Sequence, residues 1–111
     1  MTICLVTDRL RQDPIAQARR AVGAGIDLIQ IRERDLDAAR LASIVRAIVA
    51  IARGSPGTAT RVVVNDRVDV AIACGADGVH LRGDSMPADA VRAIAPRGFL
   101  VGRSVHTAEQ A

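Results

Sequence analysis

The sequence contains no lysine, no tryptophan and no tyrosine, and Phe99 is its single aromatic residue. A core without aromatic rings has to be built from Ile, Val, Leu and Ala. The bases of a single-stranded nucleic acid would find no aromatic platform to stack on. Arg19, Arg20, Arg40, Arg46, Arg53 and Arg92 are scattered over helical segments, so nucleic acid is not the expected partner. All fifteen basic residues are arginine and the net charge is +3. Arginine is the better planar, two-pronged binder of phosphate, although a general bias toward arginine accounts for most of the fifteen.

Cysteine is scarce too. Cys4 and Cys74 fall inside predicted elements, with neither metal-ligand spacing nor a secreted disulfide framework, and both are expected to be buried free thiols in a reducing cytoplasm. The N-terminus has no basic region and meets an acid at Asp8, so no secretory signal is expected. The longest apolar stretch, 44–52, is broken by Arg46 and too short to span a bilayer. These absences predict a soluble cytoplasmic protein with no membrane partner.

What is present is a globular composition, half apolar, in 111 residues. One domain is the ceiling at this length, well below the roughly 200 to 400 residues of complete (β/α)8 barrels. Residues 3–6 form a β-branched and aliphatic run, the signature of a strand buried on both faces. Asp13-Pro14 then caps a helix carried by Ile15, Ala18, Ala21 and Val22, and Gly23-Ala24-Gly25 ends it. Strand 27–31 follows, and Asp35 or Asp37 caps a long helix with Leu41, Ile44, Val45, Ile48 and Ile51 on one face. After the break at 54–57 come strand 61–64, a short helix over 67–74 ended by Gly75, and strand 78–81. Ser85-Met86-Pro87 opens a helix through Val91 and Ile94 that Pro96 closes. Strand 99–101 comes last, and Thr107 with Glu109 starts a further helix.

Strict alternation of strand and helix implies a parallel sheet with right-handed crossovers. A doubly wound sandwich and part of a (β/α)8 barrel compete. A dinucleotide fold would want a glycine-rich turn after the first strand, and Thr7-Asp8-Arg9-Leu10-Arg11-Gln12 is not one. Polar clusters instead follow every strand: Thr7-Asp8-Arg9, Gln30-Ile31-Arg32-Glu33-Arg34, Asn65-Asp66-Arg67, His80-Leu81-Arg82-Gly83-Asp84-Ser85 and Gly102-Arg103-Ser104-Val105-His106. Barrel active sites collect such residues at one mouth.

On an extended segment Gln30, Arg32 and Arg34 share a face, so an amide and two guanidinium groups can converge on one anion. The competing reading is a solvated rim with a local Arg-Glu pair. Asp66, at a strand end beside Asn65, is placed either to hold Mg2+ against a phosphorylated leaving group or simply to cap the helix from Arg67. Ser104 and His106 share a side, but no acid is evident to complete a nucleophilic triad. Ser104 is read as a phosphate hydrogen-bond donor and His80 as a packed rim histidine.

In order and spacing, Val6-Thr7-Asp8-Arg9, Gln30-Ile31-Arg32-Glu33-Arg34, Val64-Asn65-Asp66-Arg67, Gly75-Ala76-Asp77-Gly78-Val79-His80-Leu81 and Gly102-Arg103-Ser104-Val105-His106-Thr107 together resemble the thiamine phosphate synthase and TenI family. The resemblance covers essentially the whole chain. It implies a partial βα-barrel domain over 1–111, supplying the first five strands of a (β/α)8 TIM barrel. It also implies a transferase of thiamine biosynthesis joining hydroxymethylpyrimidine pyrophosphate to thiazole phosphate, with release of pyrophosphate. Gln30, Ile31, Arg32, Glu33, Arg34 and Asn65 would then bind the pyrimidine pyrophosphate, Asp66 the Mg2+ and Ser104 the pyrophosphate.

The family's Gln-Leu-Arg-Glu-Lys becomes Gln-Ile-Arg-Glu-Arg here. A second metal-binding acid falls on Ser85, with Asp84 one residue early. Arg-Glu-Arg and Gly-Arg-Ser-Val-His also resemble the TenI branch, which implies a thiazole tautomerase as the alternative. A third, non-catalytic alternative is a half-barrel that needs a partner. The chain alone is expected to be inactive, with strands one and five open to self-association.

Overall fold

The computed structural model describes residues 3–10, 12–33, 35–54, 59–81 and 87–103. Five strands alternate with four helices: β1 (Cys4–Val6), α1 (Pro14–Gly23), β2 (Leu28–Ile31), α2 (Ala38–Gly54), β3 (Arg61–Asn65), α3 (Val68–Ala73), β4 (Gly78–Leu81), α4 (Ala88–Ile94) and β5 (Leu100–Arg103). All neighbouring strands pair in parallel, and the sheet order is β1-β2-β3-β4-β5. That order decides between the two architectures. A doubly wound sheet must reverse its strand order to place helices on both faces, whereas consecutive right-handed crossovers put every helix on one face. The chain therefore forms an arc of a βα-barrel.

Local chemistry explains the element ends. Asp13 Oδ1 accepts the Ile15 N–H at 3.1 Å ahead of Pro14, and Asp37 Oδ1 accepts the Arg40 N–H at 2.8 Å. Asp37, rather than Asp35, therefore caps α2. Gly25 and Gly75 take φ of 76° and 73° as the chain turns out of α1 and α3, a conformation that costs a residue bearing a Cβ. The expected helix after Thr107 lies outside the described residues.

Alternation along the strands separates two faces. Ile29, Ile31, Val62, Val64, Val79 and Leu81 are buried in one cluster with Ala18, Ala21 and Val22 of α1, Leu41, Val45, Ile48 and Ala52 of α2, and Val91 of α4. These aliphatic contacts are the main core, as the near-absence of aromatics required. The opposite, concave face carries Leu28, Gln30, Val63, Asn65, Gly78, His80, Leu100 and Gly102.

Cys74 is buried as expected, but Cys4 is exposed. Its register partner is Leu28 and that of Val6 is Gln30, so residues 4 and 6 point to the concave face, away from the helices. The run 3–6 is thus covered on one side, not two. At the opposite rim from the site, two carboxylates bracket the strands. Asp27 Oδ2 accepts the Ile3 N–H at 2.8 Å, and Asp77 Oδ2 accepts the Val62 N–H at 2.7 Å while Oδ1 pairs with Arg53 at 2.8 Å. Barrel residues at this end ordinarily serve stability.

Candidate active site at the strand ends

The carboxyl ends of β2, β3 and β4 bring Gln30, Arg32, Asn65 and His80 to one region. Register places Asn65 opposite His80 and Gln30 opposite Val63. Asn65 Nδ2 donates to Gln30 Oε1 at 3.3 Å across the β2–β3 step. Asn65 is only 7% exposed, and its Oδ1 has no hydrogen-bond partner among the described residues. A buried acceptor left without a donor costs about 1–3 kcal/mol. Such an oxygen marks a place where a ligand N–H would be well received.

Gln30 and His80 line a cavity of about 490 Å³ with Leu28, Val63, Leu100 and Gly102. Its wall is mostly aliphatic with a few polar groups, the usual make-up of a small-molecule site. His80 lies against Gly102: a Cβ built there would be 3.0 Å from Nδ1. Burial lowers the His80 pKa below its ordinary 6.5, and the Arg32 charge lowers it further. The imidazole is therefore neutral at pH 7, which leaves Arg32 as the cation of this group.

The remaining expected residues divide. Ile31 is wholly buried in the layer between sheet and helices, so its side chain packs in the core. Glu33 is 5% exposed and accepts hydrogen bonds from Thr7 and the Arg9 backbone. Asp66 follows β3 at φ 63°, and its N–H donates to the His80 carbonyl at 2.8 Å. It stands one residue ahead of the cap position of α3, which Arg67 holds without a side-chain cap bond of its own. Asp66 borders a separate hollow of about 230 Å³ with Val68, Asp69 and Leu81. Arg34, Asp84, Ser85, Ser104 and His106 lie outside the described residues.

A family model described as thiamine monophosphate synthase matches residues 3–111. The chain belongs to the thiamine monophosphate synthase family. The thiamine-phosphate synthase of Anaeromyxobacter dehalogenans is 43% identical over 99 residues, covering 89% of this chain and 43% of that protein. That of Solidesulfovibrio magneticus is 42% identical over 114 residues, covering 99% and 52%. A solved thiamine phosphate pyrophosphorylase from Pyrococcus furiosus superposes with a TM-score of 0.86 at 30% identity, over 97% of this chain and 52% of that one. The chain thus spans about half the length of the relatives it matches.

Thiamine-phosphate synthases commonly use Mg2+. Among the described residues no three His, Cys, Asp or Glu side chains cluster as a metal cage. Mg2+ does not demand one, since it is commonly held by one or two carboxylates together with substrate phosphates and water. A single half-buried carboxylate at the end of β3, Asp66, fits that mode. No helix among the described residues is long and apolar enough to cross a membrane.

Proposed function

We propose that this chain carries the pyrimidine-pyrophosphate half of a thiamine-phosphate synthase site, acting in the cytoplasm. The observation that supports it best is Asn65 Oδ1, unpartnered among the described residues and held beside Gln30 on a concave wall that Arg32 and His80 also border. An aminopyrimidine offers both an exocyclic N–H donor and ring-nitrogen acceptors. The two carboxamides, one on β2 and one on β3, suit that edge.

The reaction breaks the bond between the pyrimidine methylene carbon and the pyrophosphate oxygen. The electron pair leaves with pyrophosphate, and the thiazole nitrogen then forms the new bond to that carbon. Arg32 places a permanent positive charge where negative charge grows on the leaving group, and stabilisation of this kind is worth most in a partly desolvated site. Neutral His80 adds no second cation beside the methylene carbon, which becomes positive in the same step. Asp66 is the residue that would hold Mg2+, which when bound supplies further positive charge to the pyrophosphate oxygens. The thiazole phosphate side of the site is assigned to the part of the relatives' barrel that this sequence does not contain. The intact Asn65-Asp66 pair favours the synthase over the tautomerase.

Calorimetric binding of pyrophosphate to the full-length protein that carries this sequence tests the reading. Arg32→Ala should weaken binding about tenfold, the scale of a charge-assisted contact. Asp66→Asn should remove only the increment that Mg2+ adds. Unchanged affinity in Arg32→Ala would take Arg32 out of the site.

A further inference from the structure

The β1–β2 ladder ends where the Thr7 N–H donates to the Gln30 carbonyl at 3.0 Å. Past that rung the pairing continues through a side chain. Thr7 Oγ1 accepts the Arg32 N–H at 3.1 Å and donates its own proton to Glu33 Oε2 at 2.6 Å. The other oxygen, Glu33 Oε1, accepts the Arg9 N–H at 3.2 Å and faces Arg9 Nε at 3.7 Å. Arg9 reaches on to Asp35 with its guanidinium. Thr7 is 2% exposed and Glu33 5%, whereas Arg32 is exposed.

A carboxylate buried to this degree is tolerable only when its oxygens are hydrogen-bonded or paired. Here each oxygen is engaged by the loop that follows β1. Glu33 is therefore poorly placed to meet an anionic ligand, and its negative charge would oppose one. Its contacts instead join the loop after β1 to the segment leaving β2. Arg32 sits in that segment, just beyond the last residue of β2, and Thr7 is the acceptor of its backbone N–H.

We propose that Thr7 and Glu33 are positioning residues, a buried clamp that fixes the backbone at Arg32 and so directs its guanidinium to the candidate pyrophosphate site. The proposal rests on the reading of Arg32 as the anion contact, yet it has a readout that needs no ligand. The Arg32 N–H is bonded to Thr7 Oγ1, so hydrogen exchange at this amide reports whether the clamp is closed.

Thr7→Val removes Oγ1 at nearly constant shape, and Thr7→Ser keeps it. In the full-length protein, Thr7→Val should weaken pyrophosphate binding about five- to tenfold, the effect of one lost hydrogen bond passed on to the contact. Thr7→Ser should restore it. In an Arg32→Ala background Thr7→Val should cost nothing more, because a residue acting through Arg32 has nothing left to act on. By NMR the Arg32 amide should exchange faster in Thr7→Val and as slowly as in the parent in Thr7→Ser. Glu33→Gln, which can accept from only one of the two donors, should move affinity and amide exchange the same way, and serves if Thr7→Val does not fold.

Equal losses from Thr7→Val with and without Arg32 would overturn the clamp, since they would signal general loosening. Affinity and Arg32 amide exchange both unchanged in Thr7→Val would overturn it as well. If Arg32→Ala binds pyrophosphate like the parent, the anion-site reading fails by itself, and the Arg32 amide exchange in Thr7→Val still decides whether Thr7 fixes this backbone.

Discussion

Gly78 begins β4 close against Leu100 of β5. A Cβ built on it would lie 2.3 Å from the Leu100 carbonyl oxygen, 2.6 Å from Leu100 Cβ and 2.8 Å from the Leu100 carbonyl carbon. The first distance is roughly 1 Å short of ordinary contact, and two of the three atoms are backbone, which cannot swing aside. Gly78→Ala must therefore push β4 and β5 apart at the Gly78–Leu100 rung, next to the bond from the Leu100 N–H to the Asp77 carbonyl at 2.9 Å. Overpacking costs about 1–3 kcal/mol and a weakened ladder bond about 1 more, so a loss of about 3 kcal/mol is expected. Two controls isolate the steric cause. A Cβ at Gly23 meets nothing within 4 Å, and one at Gly102 meets only the His80 ring at 3.0 Å. Gly23→Ala, at the end of α1, should be neutral or stabilise by up to about 1 kcal/mol, and Gly102→Ala should cost less than Gly78→Ala because an imidazole can turn. Urea unfolding of the full-length protein measures all three as midpoint shifts, about 1.5 M for Gly78→Ala at a slope near 2 kcal/mol/M. A Gly78→Ala midpoint no lower than that of Gly102→Ala would refute the reasoning.

The Asp77 bracket should be worth more through its backbone bond than through its ion pair. Asp77→Ala leaves the buried Val62 N–H without its acceptor and should cost about 2–3 kcal/mol in urea unfolding, whereas Arg53→Ala, which removes a half-exposed partner, should cost under about 1 kcal/mol. Asp77→Asn, which keeps an oxygen for Val62, should recover most of the loss. The His80 pKa is depressed in the folded chain, so the unfolded chain takes up the proton first as pH falls through 6.5. Stability should be level above that value and decline below it, down to the lower folded pKa. His80→Gln should lose that part of the decline when Tm is followed between about pH 7.5 and about pH 5, and an unaltered slope would count against it.

The element order was legible because it is written in local patterns: the Val62-Val63-Val64 run, Asp13 ahead of Pro14, and apolar residues at helical spacing over α2. The pairing of Asn65 with Gln30 was not, since it joins residues 35 positions apart. The two carboxylate brackets were missed, although Gly-Ile-Asp at 25–27 and Gly-Ala-Asp at 75–77 repeat ahead of β2 and β4. A search for that repeat would have found them. Alternation puts Gln30, Arg32 and Arg34 on one face only for as long as the strand runs, and β2 ends at Ile31, between Gln30 and Arg32. Glu33 looked like part of the same polar cluster because sequence cannot tell a buried acid from an exposed one. Its partners, Thr7 and Arg9, come from a different strand end.

By itself the sequence determined the alternation of strands and helices, the aliphatic core and the family, because each depends on neighbouring residues or on ordered motifs. Only the tertiary structure decided the consecutive strand order and with it the single concave face. It also turned Cys4 out of the core, drew Glu33 into contact with Thr7, and left the Asn65 oxygen buried without a donor among the described residues. Burial and hydrogen-bond partnership are properties of residues brought together from distant parts of the chain, and they exist only once the strands have paired.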